Sequence, residues 1–177
     1  MVSRRRRVFL FAIMFLGFLL QICLFPYLRL FGAQPDVVLV IAVVAAVLEG
    51  SMEGAYLGFF GGMLGDMVSM QPIGVGALIK AGVAFVVGML KENFLTYTIA
   101  LPMTVVFLAS IAEPALAHGF LVLLGEDLLP RFQWGTVLLC AVYNMLLVFI
   151  VYPILRRFRF EEQKGAYIVS EPKTSSK

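Results

Sequence analysis

The sequence predicts an all-α polytopic membrane protein, a bundle of six transmembrane helices. The chain is 61% hydrophobic and only 14% charged, whereas a soluble domain is about 45–50% apolar and about 25% charged. Its apolar runs are long and continuous rather than alternating, which favours helices over a closed β-barrel. Basic residues cluster before the first run and after the last, as is typical of cytoplasmic anchors.

The predicted bundle occupies residues 1–160 and contains six apolar spans. The first is long enough to cross a hydrocarbon core of about 30 Å, and no small-residue cleavage site follows it, so we expect an uncleaved span. The second is short, so we expect it to be tilted or shielded by its neighbours. The polar tail, residues 161–177, is predicted to be cytoplasmic and disordered. The spans lie near residues 8–28, 35–48, 53–70, 73–90, 99–124 and 135–155.

The second span has a recognisable start and end. Pro35 suits the first turn of a helix, and Asp36 is favourable at the positive end of the helix dipole. The polar sequence EGSME, residues 49–53, separates this span from the glycine-rich third one. Two arrangements remain open here, because the second and third segments could cross separately or form a re-entrant hairpin, which would leave four crossings.

The basic clusters at both ends predict the topology. Since both termini should be cytoplasmic, the number of crossings must be even, and six crossings satisfy this condition. The same clusters explain the pI of about 9.0 without a nucleic-acid partner. We therefore expect the chain to contact membrane lipid and to bind no nucleic acid.

Five glycines follow one face of the third span. They recur at helical spacing within a sector of roughly 100°, and small residues of this kind let membrane helices approach closely. This glycine stripe is therefore a predicted docking surface for another helix. Packing inside the bundle and contact with a partner protein or ligand both remain open. The stripe consists of Gly54, Gly58, Gly61, Gly62 and Gly65.

Four ionisable residues lie inside the predicted spans or at their ends. Asp66 ends the third span and is either a carboxylate wetted by the external headgroup region or a functional group. Lys80 lies near mid-depth of the fourth span, where an unpaired lysine is costly, so we predict an ion pair with Glu113 and a polar cavity facing His118. The pair either fixes the register of the helices or belongs to a proton relay.

Motifs for catalysis are missing from the sequence. There is no GxSxG or HExxH motif, and a single histidine does not favour a metal site. Cys23 and Cys140 lie far apart in separate apolar runs, without metal-ligand spacing. We therefore expect a protein that is not an enzyme and that binds no cofactor or metal.

The order of motifs over residues 35–80 resembles the rod shape-determining protein MreD family. Pro35 and Asp36 precede an apolar span, which is followed by the glycine stripe, Asp66, and then Gly74 in IGVGAL. The resemblance implies a fold similar to the membrane S subunit of energy-coupling-factor transporters. It also implies a non-catalytic component of the bacterial cell-elongation machinery, located in the cytoplasmic (inner) membrane, that supports lateral peptidoglycan synthesis and rod shape.

The same resemblance implies partners. MreC is the expected direct partner, and MreB, RodA and a class B penicillin-binding protein complete the implied assembly. The glycine stripe is then a candidate surface for MreC.

Two other functions remain to be weighed. A proton-coupled transporter would need Glu113 or His118 to titrate, and the sequence lacks the second half repeat of such proteins. A small-molecule-binding membrane subunit of an energy-coupling-factor-type transporter would need an external pocket lined by polar groups. The available groups are Asp36, Asp66, Glu126 and Asp127.

Overall fold

The computed structural model describes residues 4–24, 27, 32–69, 72–93, 100–123, 125 and 133–170. Nearly all of these residues lie in α-helices, so the predicted all-α fold is confirmed. The helices are α1 (Arg4–Cys23), α2 (Val37–Glu49), α3 (Ser51–Val68), α4 (Val75–Asn93), α5 (Ala100–Leu123) and α6 (Trp134–Ser170).

Three helices in the described part of the chain have the length and hydropathy to cross a membrane. They are α1, α5 and the part of α6 from Trp134 to Arg157. The apolar helix α2 and the apolar part of α4, Val75–Leu90, are shorter. α5 continues through Pro114 as one helix.

α2 forms the centre of the bundle. It has 13 residues and is about 20 Å long at 1.5 Å per residue, too short to span a hydrocarbon core alone. All of its residues from Val37 to Leu48 are buried, and α1, α3, α4, α5 and α6 all contact it. A helix that is apolar on every side is stable only when surrounded, so the expectation that neighbours shield this short segment is confirmed.

α1 runs antiparallel to α2, and polar contacts fix both ends of the pair. At the start of α1, Arg6 forms an ion pair with Glu49 at the end of α2. Near the end of α1, Oε1 of Gln21 accepts a hydrogen bond of 3.1 Å from the amide of Val38 at the start of α2. The N-terminus of α1 therefore lies at the same end of the bundle as the connection between α2 and α3.

A second ion pair strengthens that end. Arg7 donates to Glu53 through both Nε, at 3.2 Å, and Nη2, a fork that matches the two carboxylate oxygens. Glu53 is buried in the first turn of α3. Gly50 joins α2 to α3 with a φ of 111°, a backbone conformation that other residues rarely adopt. The segment EGSME thus contains a sharp turn at Gly50, and two arginines of α1 hold the helix ends on either side of it.

The predicted disordered tail differs from the structure over residues 161–170, because α6 continues to Ser170. Residues 161–164 are Glu, Glu, Gln and Lys, all good helix formers, and extending an existing helix needs no new nucleus. Residues 171–177 of the predicted tail lie outside the described residues. So do residues 25, 26 and 28 of the first predicted span, residue 70 of the third, and residues 99 and 124 of the fifth.

Candidate functional site

The glycine stripe of α3 packs against helices of the same chain. A Cβ atom at Gly58 would lie 2.7 Å from the carbonyl oxygen of Lys80, and one at Gly62 would lie 2.6 Å from Cα of Ala77. Both neighbours are backbone atoms of α4, so the two helices touch backbone to backbone. Gly88 of α4 approaches Ser51 in the same way near the other end of the pair.

The other glycines of the stripe face different neighbours. Gly54 is in contact with Ala46 of α2. Gly61 faces Val38 of α2 and Met14 of α1, whose Sδ would lie 2.7 Å from a Cβ at this position. A Cβ atom at Gly65 would have no atom of another helix within 4 Å. Four of the five glycines are therefore used for packing inside the bundle, and the interpretation of the stripe as a surface for MreC is wrong for those four.

Asp66 is buried at the junction of α3 and α4. Its Oδ2 accepts hydrogen bonds from the amides of Gly74, at 2.8 Å, and Ala77, at 3.1 Å, and its side chain lies directly against Gly76. Those amides belong to the first turn of α4, which has no intrahelical acceptors for them. Asp66 thus caps α4 from the neighbouring helix, and the expectation of a carboxylate wetted by headgroups is wrong because backbone donors replace the water.

Lys80 is the centre of a polar cluster inside the bundle. Its Nζ donates to Oε1 of Glu113 at 2.9 Å, which is the predicted ion pair, and also to Oδ2 of Asp36. The lysine side chain is 11% exposed, against 23% for Asp36 and 19% for Glu113. One ammonium group therefore joins α4 to α5 and to the start of α2.

Asp36 connects this ion pair to α2 and α6. Its Oδ1 accepts a hydrogen bond of 2.9 Å from the amide of Leu39 and thereby caps α2. The expectation that Pro35 lies in the first turn is wrong, because α2 begins at Val37 and Pro35 precedes the cap. Its own amide donates to Oδ1 of Asn144 at 2.8 Å. Nδ2 of Asn144 donates to Oγ of Ser110 at 2.9 Å, which returns the chain of hydrogen bonds to α5.

We call Asp36, Lys80, Ser110, Glu113 and Asn144 the Lys80 cluster. Together they join α2, α4, α5 and α6 through side-chain hydrogen bonds. α1 is attached to the same region through Gln21, which binds the amide of Val38 with its side chain and the side chain of Gln34 with its carbonyl. At one end of the central helix α2, the cluster and Gln21 therefore link α2 to the four helices α1, α4, α5 and α6.

Sequence reasoning missed three residues of this network, Gln21, Ser110 and Asn144. Asn144 is 2% exposed in the middle of an otherwise apolar helix, and Gln21 lies near the end of the first span. Polar side chains in membrane helices usually bond to other helices, so their position in apolar runs was the available signal. The role of Asp36 as a partner of Lys80 was also missed, because it depends on the relative placement of α2 and α4.

His118 is half-buried on α5. It lies five positions after Glu113, which places it about 140° further around the helix. That it faces a polar cavity stays a prediction. Glu126 and Asp127, which the small-molecule pocket would need, lie outside the described residues.

The arrangement of the helices and of their interior polar groups defines the class of this protein. It is a helical membrane-type bundle in which the described interior polar groups bond to each other and to helix ends rather than converging on a reactive site. The comparison with known families agrees with this class. The family model for rod shape-determining protein MreD matches residues 3–158, nearly the whole chain, and the chain therefore belongs to the MreD family.

The family assignment confirms the resemblance carried by residues 35–80 and establishes a membrane protein of the rod-shape-determining type. No curated protein and no solved structure matched the chain in the other two comparisons. The expected likeness to the S subunit of energy-coupling-factor transporters consequently stays a prediction.

Proposed function

We propose that this protein is a non-catalytic, multi-pass component of the bacterial cell-elongation machinery that binds MreC and supports lateral peptidoglycan synthesis. The observation that carries this proposal is the match of the MreD family model over residues 3–158. MreB, RodA and a class B penicillin-binding protein are the proposed further members of the assembly.

The arrangement of interior side chains supports a scaffold rather than an enzyme. Asp66 is engaged by the amides of α4, and Lys80 is engaged by two carboxylates. Glu53 is engaged by Arg7 in the same manner. Polar groups that are hydrogen-bonded to each other inside a protein make the fold rigid. We therefore assign these side chains to stability and helix placement rather than to catalysis.

The proposed contact with MreC cannot use the whole glycine stripe, because most of it is covered by α1, α2 and α4. A partner helix would have to displace α4 to reach Gly58 or Gly62. The MreC contact therefore belongs on another part of the bundle, and substitutions in the stripe are expected to act through folding of this chain.

The proposed orientation places both termini in the cytoplasm. The α1 arginines and the turn between α2 and α3 lie at one end of the bundle, joined by the Arg6–Glu49 and Arg7–Glu53 ion pairs. A re-entrant hairpin would place that turn inside the hydrocarbon core, where four charged side chains would be costly. Separate crossings of α2 and α3 put these charges at the cytoplasmic surface.

Depletion of the protein in its rod-shaped host, combined with purification of tagged MreC in mild detergent, tests the proposal. We expect rounded cells on depletion, and we expect this protein to copurify with MreC. A Gly65→Ala variant, altered at an open position of the stripe, should restore rods and is the matched control. Unchanged rods after full depletion would contradict the shape role, and absence from the MreC eluate would contradict direct binding.

A small-molecule-binding subunit of an energy-coupling-factor-type transporter remains the alternative function. Two of the carboxylates that it would use, Asp36 and Asp66, are already bonded to groups of the chain itself. This pairing favours the scaffold.

A further inference from the structure

The helices α1 and α3 lie side by side, and both begin at the same end of the bundle. Arg7 of α1 donates to Glu53 in the first turn of α3. One turn further along α1, the ring of Phe11 meets the ring of Phe60 of α3 edge to face, with 5.1 Å between the ring centroids. Phe60 is 36% exposed, so this ring pair lies at the surface between the two helices. We call this surface the α1–α3 furrow.

Two arginines of α1 lie at the end of the furrow where the helices begin. Arg4, Arg7 and Phe11 are three and four positions apart, which places them on one side of the helix. Arg4 is exposed and has no acidic partner among the side chains that the structure describes. Arg7 is 49% exposed and bonds to Glu53 through Nε and Nη2. Its Nη1 has no acceptor among the described residues, so both guanidinium groups keep hydrogen-bond donors for a further acceptor.

The charges described where α1 and α3 begin favour an anion. Glu49 and Glu53 are the acidic side chains described there, and each is bonded to an arginine of α1. Arg4 and Arg5 add positive charge without a described acidic partner. A phosphodiester carries one negative charge and two oxygen atoms that accept hydrogen bonds, and guanidinium groups match this arrangement of oxygens. The end of the furrow therefore fits a phosphodiester.

Further along both helices the exposed surface is apolar. Val8, one turn after Arg4, is 64% exposed, and Phe15 on the same side of α1 is 47% exposed. Across the furrow, Tyr56 of α3 is 54% exposed, one turn after Glu53. Tyrosine favours the boundary between lipid and water because its ring is apolar and its hydroxyl group is polar. The order from arginines to tyrosine to apolar side chains matches a phospholipid, from its phosphate to its acyl chains.

We propose that the α1–α3 furrow binds one anionic phospholipid. Its phosphate lies between Arg4 and Arg7, and one acyl chain lies along the furrow over Phe11 and Phe60. A zwitterionic phospholipid binds less well, because its headgroup brings another cation beside the guanidinium groups. A soluble phosphate ester offers the phosphate alone, without a chain to contact the two rings. This site is additional to the proposed role in cell elongation and does not depend on it.

Native mass spectrometry of the purified protein in mild detergent tests the proposal, because it resolves the protein with and without one bound lipid. We expect phosphatidylglycerol to give a complex with one lipid, and phosphatidylcholine with the same acyl chains to give less of it. Arg4→Gln should lower the affinity for phosphatidylglycerol about tenfold, as expected for the loss of a charged hydrogen-bond donor.

The matched control is Arg5→Gln. Arg5 is also exposed and carries the same charge, but it lies about 160° around α1 from Arg7 and so on the side away from the furrow. This variant should retain the affinity of the unaltered protein. Size-exclusion profiles confirm that both variants are folded, since neither arginine has a described acidic partner to lose.

Four results would overturn the proposal. An equal loss of lipid in Arg4→Gln and Arg5→Gln would show attraction to the general surface charge rather than a site in the furrow. Unchanged binding in Arg4→Gln would exclude Arg4 from the site. Equal retention of both lipids by the unaltered protein would remove the preference for an anionic headgroup. Displacement of phosphatidylglycerol by an equal concentration of glycerol phosphate would show a site for soluble phosphate esters rather than for lipid.

Discussion

The ammonium group of Lys80 on α4 lies 2.9 Å from a carboxylate oxygen of Glu113 on α5, 33 positions later in the chain. The same ammonium group also donates to Asp36 at the start of α2. Through these two bonds, Lys80 joins α4 and α5 to the start of the central helix α2. Its strength should be visible in the stability of the whole bundle rather than in one helix.

The first prediction is that Lys80 and Glu113 are energetically coupled. Lys80→Met leaves two partly buried carboxyl groups without a cation and should lower the free energy of unfolding by up to about 3–5 kcal/mol. Glu113→Gln should cost less, because Lys80 keeps Asp36. Thermal unfolding in detergent of both single variants and the double variant measures the coupling, and additive effects would contradict the ion pair.

The second prediction separates the packed glycines from the open one. Gly58→Ala and Gly62→Ala each place a Cβ within 2.7 Å of α4 backbone atoms, so the helices must move apart at a cost of about 1–3 kcal/mol. Gly65→Ala meets open space and should change stability by less than about 0.5 kcal/mol. Size-exclusion profiles and unfolding midpoints in detergent compare the three. Equal tolerance of all three would show that α3 and α4 do not touch there.

The third prediction concerns the cap that Asp66 provides for α4. Asp66→Ala leaves the amides of Gly74 and Ala77 without their acceptor and should cost about 1–3 kcal/mol, the penalty for buried unsatisfied donors. Asp66→Asn keeps one oxygen in place, and because both amides bind the same oxygen, it should stay close to the unaltered protein. Unfolding midpoints of the two variants decide the matter. A similar loss in both would indicate that the charge, not the acceptor, is what α4 requires.

The features that sequence patterns predicted here are local ones. Glycine spacing in α3 and the Pro35–Asp36 sequence before α2 depend on neighbours within a few turns, so the helices, the stripe and the place of Asp36 at the positive end of α2 could be predicted. The pairing of Lys80 with Glu113 could also be predicted. Each is a charged side chain within an apolar span, where a charge without a partner of opposite sign costs free energy.

The features that the sequence did not predict depend on how helices are placed relative to each other. Asp66 lies at the end of α3, where the sequence predicts the headgroup region, and no partner is adjacent in the sequence. The tight turn at Gly74, with a φ of 102°, brings the first amides of α4 back onto the Asp66 side chain. The helical end of α6 was missed for another reason. Low hydropathy indicates the absence of a membrane span, but it does not indicate the absence of a helix.

The last prediction concerns the orientation of α2 and α3, tested with single cysteines in a background in which Cys23 and Cys140 are replaced by alanine. Met52, beside the Arg7–Glu53 pair, is 60% exposed, and Ile73, before α4, is 71% exposed. If α3 crosses the membrane with both termini in the cytoplasm, an impermeant thiol reagent added to intact spheroplasts should label Met52→Cys only after lysis. The same reagent should label Ile73→Cys without lysis.

A re-entrant hairpin entered from outside would bury the turn that contains Met52, so Met52→Cys would stay unlabelled even after lysis, while Ile73→Cys would react as before. The pattern therefore separates six crossings from four, because the Arg6–Glu49 and Arg7–Glu53 pairs require that turn to share the aqueous side of the α1 arginines.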